Sequence, residues 1–334
     1  MSNSIPEIED ADLLFIFGYN GADSHPIVAR RIVRAKEKGA TLITVDPRVT
    51  ETARISDMHL PIKGGTNMIL VNAFGNVLIN ENLYDEEFIK EHTDNFEEYK
   101  KIVEPYTPEY AAKYTNIPAD MIRKTMREYA KAKDAMILYG MGVCQFSQAV
   151  DVVKGLASLA LLTGNFGRPN VGIGPVRGQN NVQGACDMGA LPDCYPGYQK
   201  VTNPEIRAKF EKAWGVKLPG EVGLKLTEVP HAVLEEHKIK AYYIFGEDPV
   251  QSDPDAAEVR EALDECEFVV VQDIFMNKTG LHADVIFPAT SWGEHDGVYS
   301  SADRGFQRIR KAVEPKGDVK TDWQIICEVS TATG

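Results

Sequence analysis

The first 50 residues alternate short apolar runs with one longer amphipathic segment. Leu13–Phe17 is a continuous apolar run of strand length, and Thr41–Val45 is a second. Between them, apolar residues recur at helical spacing, with Ser24 as the predicted N-cap and Gly39 as the C-terminal cap. Four apolar residues are predicted to form the buried face of this helix: Ile27, Val28, Ile32 and Val33. This order predicts a strand–helix–strand crossover, which implies a parallel sheet.

The same two patterns recur along the rest of the chain. They predict strands at 58–62, Ala135–Tyr139, Ala241–Phe245, 268–271 and 285–287. They predict helices at Asn67–Asn80, 85–91, 118–132, Ala149–Leu162, 253–265 and from Asp322 onward. Residues 163–189 are glycine-rich and show no period, which predicts a long loop of the kind that often has a function. We therefore predict an α/β fold of two doubly wound, mostly parallel, Rossmann-like sheets.

Length and charge narrow the class of protein. The 334 residues are enough for two domains, and the 43% hydrophobic and 25% charged residues are typical of a globular chain. A net charge of −13 argues against binding to nucleic acid or to an anionic membrane surface, since both need a basic face. No apolar run approaches the ~18 residues of a membrane span, and the N-terminus lacks the basic region of a secretory signal.

The five cysteines are scattered along the chain. They are Cys144, Cys186, Cys194, Cys266 and Cys327, and no two are in a C-x-x-C spacing. An odd, scattered set predicts reduced thiols and a cytoplasmic protein. The same spacing contains no local zinc or iron–sulfur signature, so we predict no metal ligand among these residues.

Polar residues follow four of the predicted strands at the point where each ends. They are Asn20, Asp23 and Ser24 after the first strand, Asp46 and Arg48 after the second, and Asp248, Ser252, Gln272 and Asp273 in the second half. In open α/β sheets, ligands bind beyond the carboxyl ends of the strands, and a carboxylate such as Asp46 suits ribose hydroxyls. Each residue taken alone is also typical of a turn or a helix cap. The recurrence favours two nucleotide sites.

One stretch stands out chemically. Residues 174–189, GPVRGQNNVQGACDMG, are dense in amides and carry a single arginine, Arg177. Amides suit the edge of a purine or pterin, and an arginine fork suits a small carboxylate. The alternative is a hydrogen-bonded loop with Arg177 in a surface ion pair. No G-x-G-x-x-G follows the first strand, which weakens the hypothesis of an NAD-dependent dehydrogenase.

Several stretches together resemble the molybdopterin oxidoreductases of the dimethyl-sulfoxide-reductase type, and among them the catalytic subunit of formate dehydrogenase. The resemblance covers essentially the whole chain. It rests on GYNGADSHPIVARR, VDPRVTETARISDMHLPIKGG, YGMGVCQFSQ, PVRGQNNVQGACDMGALPD, GEDPVQSD, VVQDIF, ADVIFPATSWGEHDGVYSSADRGFQR and PKGDVKTDWQII. It implies two molybdopterin guanine dinucleotides (bis-MGD) that hold one molybdenum or tungsten.

The resemblance also assigns residues to these cofactors. One dinucleotide would be contacted by Asn20, Asp23, Ser24, Asp46, Arg48, Gly65, Asn67, Met141, Gln145 and Gln179. The other would be contacted by Asp248, Ser252, Gln272, Asp273, Ala289 and Asp322. At Ala289 a formate dehydrogenase can carry serine, so only a backbone contact is expected there. Arg177 would be the catalytic arginine that clamps the formate carboxylate and aims its C–H bond at the metal ligands.

The resemblance further predicts the organisation of the whole subunit. Residues 1–179 would form the first dinucleotide domain and 180–291 the second. Residues 292–320 would pack toward an iron–sulfur domain, and 321–334 would begin a returning helix of the second domain. The family's [4Fe-4S] cluster, its cysteine or selenocysteine metal ligand and its C-terminal domain lie outside this sequence. We therefore expect a central fragment that is inactive alone.

Several functions remain open at this stage. The first hypothesis is oxidation of formate to CO2, or the reverse, with electrons passed to NAD, a deazaflavin, ferredoxin or a hydrogenase partner. The second is another molybdopterin oxidoreductase, such as a nitrate reductase or the large subunit of a respiratory complex. The third is a non-catalytic scaffold that binds a nucleotide. Arg177 favours the first, because a non-catalytic relative has no reason to keep a substrate clamp.

Overall fold

The computed structural model describes residues 1–334, which divide into two compact units. Unit 1 comprises Met1–Val182 and Ser301–Gly305, and unit 2 comprises Gln183–Ser300 and Phe306–Gly334. No helix is both long and apolar enough to cross a lipid bilayer. The domain bounds given above stay a prediction.

Unit 1 is built on a parallel sheet of five strands. In chain order these are β1 (Leu13–Phe17), β2 (Thr41–Val45), β3 (Met58–Leu60), β4 (Ala135–Tyr139) and β5 (Gly172–Pro175). Their order across the sheet is β3-β2-β1-β4-β5, so β1 is central, and every pairing is parallel. The prediction of a doubly wound parallel sheet is thus confirmed for this unit.

The central strand explains why its sequence is apolar without a break. All five residues of β1 are buried. Phe15 and its alternating neighbours pack on one side of the sheet, and Leu14 and Ile16 pack on the other. A strand that is covered on both faces has no polar side to show to solvent.

Helices cover both faces of this sheet. They are α1 (Gly21–Ser24), α2 (Pro26–Glu37), α3 (Glu51–Ile55), α4 (Asn67–Asn80), α5 (Glu86–His92), α6 (Phe96–Val103), α7 (Pro108–Thr115), α8 (Ala119–Lys131), α9 (Met141–Cys144) and α10 (Ala149–Leu162). Helix α10 packs against α4, which is buried along most of its length. Five of these helices, α1, α3, α6, α7 and α9, lie where the sequence patterns above predict none.

The helix after β1 differs from its prediction. Ser24 is the last residue of the short helix α1, and His25 is the N-cap of α2, so the predicted Ser24 cap is wrong. Of the predicted buried face, Ile27 is 70% exposed and Val33 is 42% exposed. The buried positions include Val28 and Ile32. The predicted face spans too wide an arc, because two adjacent helical residues point about 100° apart.

The glycine-rich stretch at 163–189 is also not one loop. It contains β5, which pairs with β4, and a further helix, α11 (Val182–Asp187). Strand β5 has the sequence GIGP, with too few large side chains to give a recognisable apolar run. Pairing with an already buried neighbour, rather than local propensity, makes this segment a strand.

Unit 2 contains a second, smaller parallel sheet. Its strands are β8 (Ala241–Phe245), β9 (Phe268–Asp273) and β10 (Val285–Pro288), in the order β10-β9-β8. Two antiparallel pairs accompany it: β6 (Cys194–Tyr195) with β7 (Gln199–Lys200), and β11 (Gly297–Ser300) with β12 (Phe306–Ile309). The helices are α12 (Pro204–Trp214), α13 (Val229–Leu234), α14 (Pro249–Ser252), α15 (Ala256–Glu265) and α16 (Asp322–Thr333). Short 3-10 helices lie at Ile5–Asp10 in unit 1 and at Leu226–Glu228 and Thr279–His282 in unit 2.

The two faces of the unit 2 sheet differ in how well they are covered. On one face Ile244, Val269 and Val271 are almost fully buried. On the other, Phe245 is 55% exposed and Phe268 is 45% exposed. Parallel sheets normally have both faces covered. The unit 2 sheet therefore presents aromatic surface to solvent.

A carboxylate near the start of the chain, Glu7, hydrogen-bonds two distant segments of unit 1 and should make the stability of the unit depend on pH. Glu7 accepts hydrogen bonds from the side chain of Asn3 (2.8 Å), the backbone N–H of Asn170 (2.9 Å) and both donors of Ser4. The Asn3 bond is the largest of the effects that lower the pKa of Glu7 to about 2. A carboxyl whose folded pKa is lowered stabilises the fold above its unfolded pKa, and this stabilisation is lost as the pH falls toward the folded value.

We expect Glu7→Gln to lower the free energy of unfolding at pH 7. The difference from wild type should shrink as the pH falls from about 4.5 to about 2, because Glu7 in the wild type then loses its charge too. Urea unfolding at a series of pH values measures this. Glu37→Gln, at an exposed position near the end of α2, is the control and should have little effect. A Glu7→Gln deficit that does not change with pH would contradict the prediction.

Candidate functional site

A cavity of about 350 Å³ lies at the carboxyl ends of β1, β2 and β4 in unit 1. Its wall includes several residues predicted from the sequence: Asn20, Ser24, Asp46, Arg48, Asn67 and Met141. The order of strands reverses between β1 and β4, since the chain leaves β1 toward β2 on one side and reaches β4 on the other. Such a switch point is where open α/β sheets bind their ligands.

Two glycines bring the loops after β1 and β4 into contact. The N–H of Gly142 donates to the carbonyl oxygen of Gly18 over 3.0 Å. A Cβ added to Gly142 would lie 2.8 Å from the Cα of Gly18, and one added to Gly18 would lie 2.7 Å from the carbonyl carbon of Gly142. Gly18 also has φ +56°, a conformation that favours glycine. Only a pair of glycines fits here without displacing backbone.

The loop after β1 carries polar atoms that the protein leaves unpaired. Asn20 donates from Nδ2 to Asp23 over 2.5 Å, but its Oδ1 is buried without a partner. The Tyr19 hydroxyl and Nδ1 of His25 are likewise buried and unpaired. Burial raises the pKa of Tyr19, so its hydroxyl stays protonated. Buried polar atoms normally have partners, so this group is suited to hydrogen-bond a bound molecule.

The loop after β2 combines a turn with a buried carboxylate. Asp46 is 8% exposed, and its Oδ1 accepts the backbone N–H of Arg48 over 2.8 Å. Nε2 of His59 lies 2.9 Å from the carbonyl oxygen of Asp46. One carboxylate oxygen of Asp46 therefore stabilises the turn, as the sequence alternative proposed. The residue also lines the cavity. Arg48 is exposed beside it.

The remaining predicted residues of unit 1 lie in or next to the cavity wall. Asn67 begins α4 and donates to the carbonyl oxygen of Gly142 over 3.3 Å. Gly65, with φ +82°, lies one residue beyond the lining residue Gly64. Met141 lines the cavity and is 51% exposed, whereas Gln145 caps the end of α9 outside the lining.

Arg177 lies beside this cavity, in the segment after β5. The N–H of Val176 donates to the carbonyl oxygen of Tyr139 over 2.9 Å, which holds the segment against the end of β4. Burial raises the pKa of the Cys144 thiol, and the positive charge of Arg177 opposes that rise. Gly178 lines the cavity, and Gln179 is exposed next to it. The guanidinium is thus close to the end of the crevice where α9 lies.

Several residues of this site were not predicted from the sequence. Gly18, Tyr19, His25 and Gly142 all line the cavity, and none was predicted. The rings of Tyr19 and His25 are tilted against each other, with 5.5 Å between their centroids. The sequence did contain a signal for the contact between the loops after β1 and β4, because a glycine directly follows each of these strands. It could not be interpreted before the two strands were known to be neighbours.

Unit 2 gathers its predicted residues at the carboxyl ends of its own strands. Gln272 is fully buried, donates from Nε2 to Asp322 over 2.6 Å and accepts from the hydroxyl of Tyr243. Asp248 accepts from the N–H of Thr279 over 3.0 Å and from its hydroxyl over 2.6 Å. The hydroxyl of Ser252 donates to the carbonyl of Asp248 over 3.1 Å.

The last two residues of this set are joined through the backbone. The N–H of Ala289 donates to the carbonyl of Asp273 over 3.1 Å, and the Asp273 carboxylate accepts from Asn277 over 3.0 Å. Ala289 is 7% exposed and pairs with Lys320 in a parallel bridge. The structure thus brings the unit 2 residues to one sheet edge, each with a structural partner. In neither unit do three or more His, Cys, Asp or Glu side chains form a group that could hold a metal ion.

A glycine-lined crevice at a switch point is shared by many α/β proteins, so comparison with known sequences decides the family. The sequence profile of molybdopterin oxidoreductases matches residues 1–332. The chain belongs to this family. Among the molybdopterin oxidoreductases, it is 58% identical to formate dehydrogenase H of Escherichia coli and 49% identical to the F420-dependent formate dehydrogenase subunit alpha of Methanocaldococcus jannaschii. Both alignments cover all of this chain.

The match covers only part of these relatives. The chain spans 47% of the Escherichia coli protein and 49% of the Methanocaldococcus jannaschii protein, about half the length of each. Among solved structures, acetylene hydratase from Pelobacter acetylenicus superposes on 98% of this chain with a TM-score of 0.78 at 22% identity, and 49% of that chain is covered. That likeness supports the molybdopterin oxidoreductase fold.

Proposed function

We propose that this chain is the cofactor-binding part of a formate dehydrogenase catalytic subunit, which oxidises formate to CO2 or carries out the reverse reaction. The observation that carries the proposal is the 58% identity to formate dehydrogenase H across the entire chain. The position of Arg177 beside the unit 1 cavity supports it, because an arginine fork suits a small carboxylate. The division into segments 1–179, 180–291, 292–320 and 321–334, predicted from the sequence, is part of the same proposal.

The residues of unit 1 fit the nucleotide part of a molybdopterin guanine dinucleotide. The glycine contact between the loops after β1 and β4 removes side chains from the floor of the crevice. The unpaired Oδ1 of Asn20 can accept a hydrogen bond from a base or ribose, and the buried Asp46 carboxylate suits two ribose hydroxyls. The other proposed contacts are Asp23, Ser24, Arg48, Gly65, Asn67, Met141, Gln145 and Gln179.

The sheet edge of unit 2 is proposed to hold a second dinucleotide. Its candidate contacts are Asp248, Ser252, Gln272, Asp273, Asp322 and the backbone of Ala289. Gln272 and Asp322 already bond each other over 2.6 Å, so a guanine edge would have to share their donors and acceptors. When bound, the cofactor supplies a molybdenum or tungsten centre that accepts the two electrons of formate oxidation. Arg177 contributes the charge that holds and orients the formate carboxylate.

Further parts of the proposal concern partners and location. We propose that a [4Fe-4S] cluster, held outside this sequence, passes the electrons to NAD, a deazaflavin, ferredoxin or a hydrogenase partner. We propose a cytoplasmic location. Reading the coding sequence on both sides of this segment tests the first point. A four-cysteine motif followed by a Cys-His or selenocysteine-His pair upstream of Met1 is the expected result.

The activity itself is tested on protein produced anaerobically from its complete coding sequence. Metal and pterin content are measured first, and formate is then supplied with benzyl viologen, two of which take up the two electrons as formate yields CO2 and a proton. We expect reduction of the dye that depends on formate and on bound molybdenum or tungsten. Protein that holds metal and pterin yet reduces no dye with formate, but oxidises reduced viologen with nitrate, would contradict the proposal and favour a nitrate reductase.

A further inference from the structure

One imidazole connects the loop after β1 to the segment that carries Arg177. Nε2 of His25 lies 2.5 Å from the carbonyl oxygen of Arg177, although the two residues are 152 positions apart in the chain. A carbonyl oxygen carries no proton, so Nε2 must hold the proton and donate it. In the neutral ring this bond leaves Nδ1 without a proton, as an acceptor.

The backbone of His25 is restrained at two points, and its ring contacts a second ring. Its backbone N–H donates to the carbonyl of Gly21 over 2.8 Å, so the residue is tied to the start of α1. Pro26 follows and disfavours the helical region for His25, whose φ of −143° and ψ of 69° lie outside it. The Tyr19 ring lies 5.5 Å away, tilted by 47°. An imidazole restrained in this way can fix the position of what it bonds.

The segment that receives this hydrogen bond is anchored on both sides of the Arg177 side chain. On one side the N–H of Val176 donates to Tyr139 at the end of β4, and on the other the Arg177 carbonyl accepts from His25. Gly178 follows directly, and glycine gives the chain more freedom than any other residue. Without the His25 bond, the backbone could change direction at the residue that carries the guanidinium.

We infer that His25 is a positioning residue that holds the Arg177 segment against the loop after β1. The inference depends on the proposed function in one respect only, which is that Arg177 binds the formate carboxylate. The loop of His25 also carries Asn20 and Ser24, which line the cavity. This one hydrogen bond therefore fixes the position of the Arg177 backbone relative to the proposed cofactor contacts in the loop after β1. His25 itself is not assigned to formate.

The first test needs neither cofactor nor activity. Hydrogen exchange of the backbone amides at 176–181 is measured by mass spectrometry in wild type, His25→Ala and His25→Gln. The glutamine amide can supply an N–H close to that of Nε2, whereas alanine cannot. We expect exchange to be about tenfold faster in His25→Ala, since one hydrogen bond is lost, and close to wild type in His25→Gln. Equal exchange in all three proteins would overturn the inference.

The second test separates positioning from folding in the cofactor-loaded enzyme. If His25 places Arg177, His25→Ala should raise the KM for formate about tenfold with kcat within about twofold, and His25→Gln should restore most of the KM. A merely structural role would instead lower the amount of active enzyme, and so kcat, at unchanged KM. His92→Ala, at the exposed end of α5, is the matched control.

The two tests distinguish this inference from the proposed function. If the loaded wild-type enzyme oxidises formate but His25→Ala leaves both the exchange and the KM unchanged, the inference is wrong and the function stands. If the loaded wild type does not oxidise formate, the proposed function is wrong, and the exchange at 176–181 decides the role of His25. The expected result is a change that appears in His25→Ala and is reversed in His25→Gln.

Discussion

Replacing Arg177 with alanine is expected to lower kcat/KM for formate by roughly 10²–10³-fold in the loaded enzyme. Truncation of one partner of a hydrogen-bonded charge pair costs about 2–5 kcal/mol, and each 1.4 kcal/mol is a factor of about ten. Arg177 lies in the segment after β5, beside the cavity at the ends of β1 and β4. Steady-state oxidation of formate with benzyl viologen, at matched metal content, measures the change.

Two further variants sharpen this prediction. Arg177→Lys keeps the positive charge but loses the planar fork, so it should recover only part of the loss if the carboxylate is held by two bonds. Arg260→Ala removes an exposed arginine of α15 and should leave the kinetics unchanged. An Arg177→Ala enzyme with kcat/KM within twofold of wild type would show that Arg177 does not bind substrate.

Gly142→Ala should destabilise unit 1 and reduce its cofactor content together. The added Cβ would lie 2.8 Å from both the Cα and the carbonyl oxygen of Gly18, and both are backbone atoms that no side-chain rotation can move. Overpacking of this kind costs about 1–3 kcal/mol. For a unit of this size, each kcal/mol lowers Tm by about 2–4 °C. Thermal unfolding of the chain and the pterin content of the full-length protein measure the two effects.

A second glycine provides the control for this experiment. A Cβ at Gly293 would meet nothing within 4 Å, and its backbone is not left-handed, so Gly293→Ala should leave Tm nearly unchanged. If Gly142→Ala lowers Tm but leaves the pterin content at the wild-type level, the crevice between the loops after β1 and β4 is not where the dinucleotide binds. If Tm is unchanged, the loop contact is less tight than described.

The sequence predicts the bounds of six elements to the residue: β1, β2, β4, β8, α4 and α10. In β1 and β4, which are buried along their whole length, the apolar run starts and stops with burial. The strand β9 was predicted to stop at 271, but it continues to Asp273. Its two polar residues remain in the sheet because their side chains bond Asp322 and Asn277.

Short helices at the surface were not predicted from the spacing of apolar residues. Helix α6 has eight residues, of which Phe96, Tyr99 and Val103 recur at helical spacing, so a signal was present over two turns. An apolar pattern over two turns is too short to distinguish from chance. A helix of this length is only marginally stable in isolation, and in a protein most of its stability comes from tertiary packing. Here that packing is between Tyr99 and Gly75 of α4, which no local pattern reports.

The candidate site was predictable in its parts but not in its assembly. Polar residues after strands mark each loop, and Asn20, Asp46 and Asn67 do line one cavity. Which loops meet depends on the strand order, and that order follows from pairings between residues more than 100 positions apart, such as Leu13 with Ala135. The contact of His25 with the Arg177 segment depends on the same order, which is why sequence inspection did not find it.

The partly uncovered face of the unit 2 sheet makes the purified polypeptide prone to self-association at high concentration. Phe245 and Phe268 expose about half of their surface there, on adjacent strands in a region with few charged neighbours along β8. Exposed aromatic patches favour self-association, and natural proteins often place lysines on edge strands such as β8. Lysine at 245 and 268 would therefore be the first changes to make when the protein is concentrated for crystallisation or NMR.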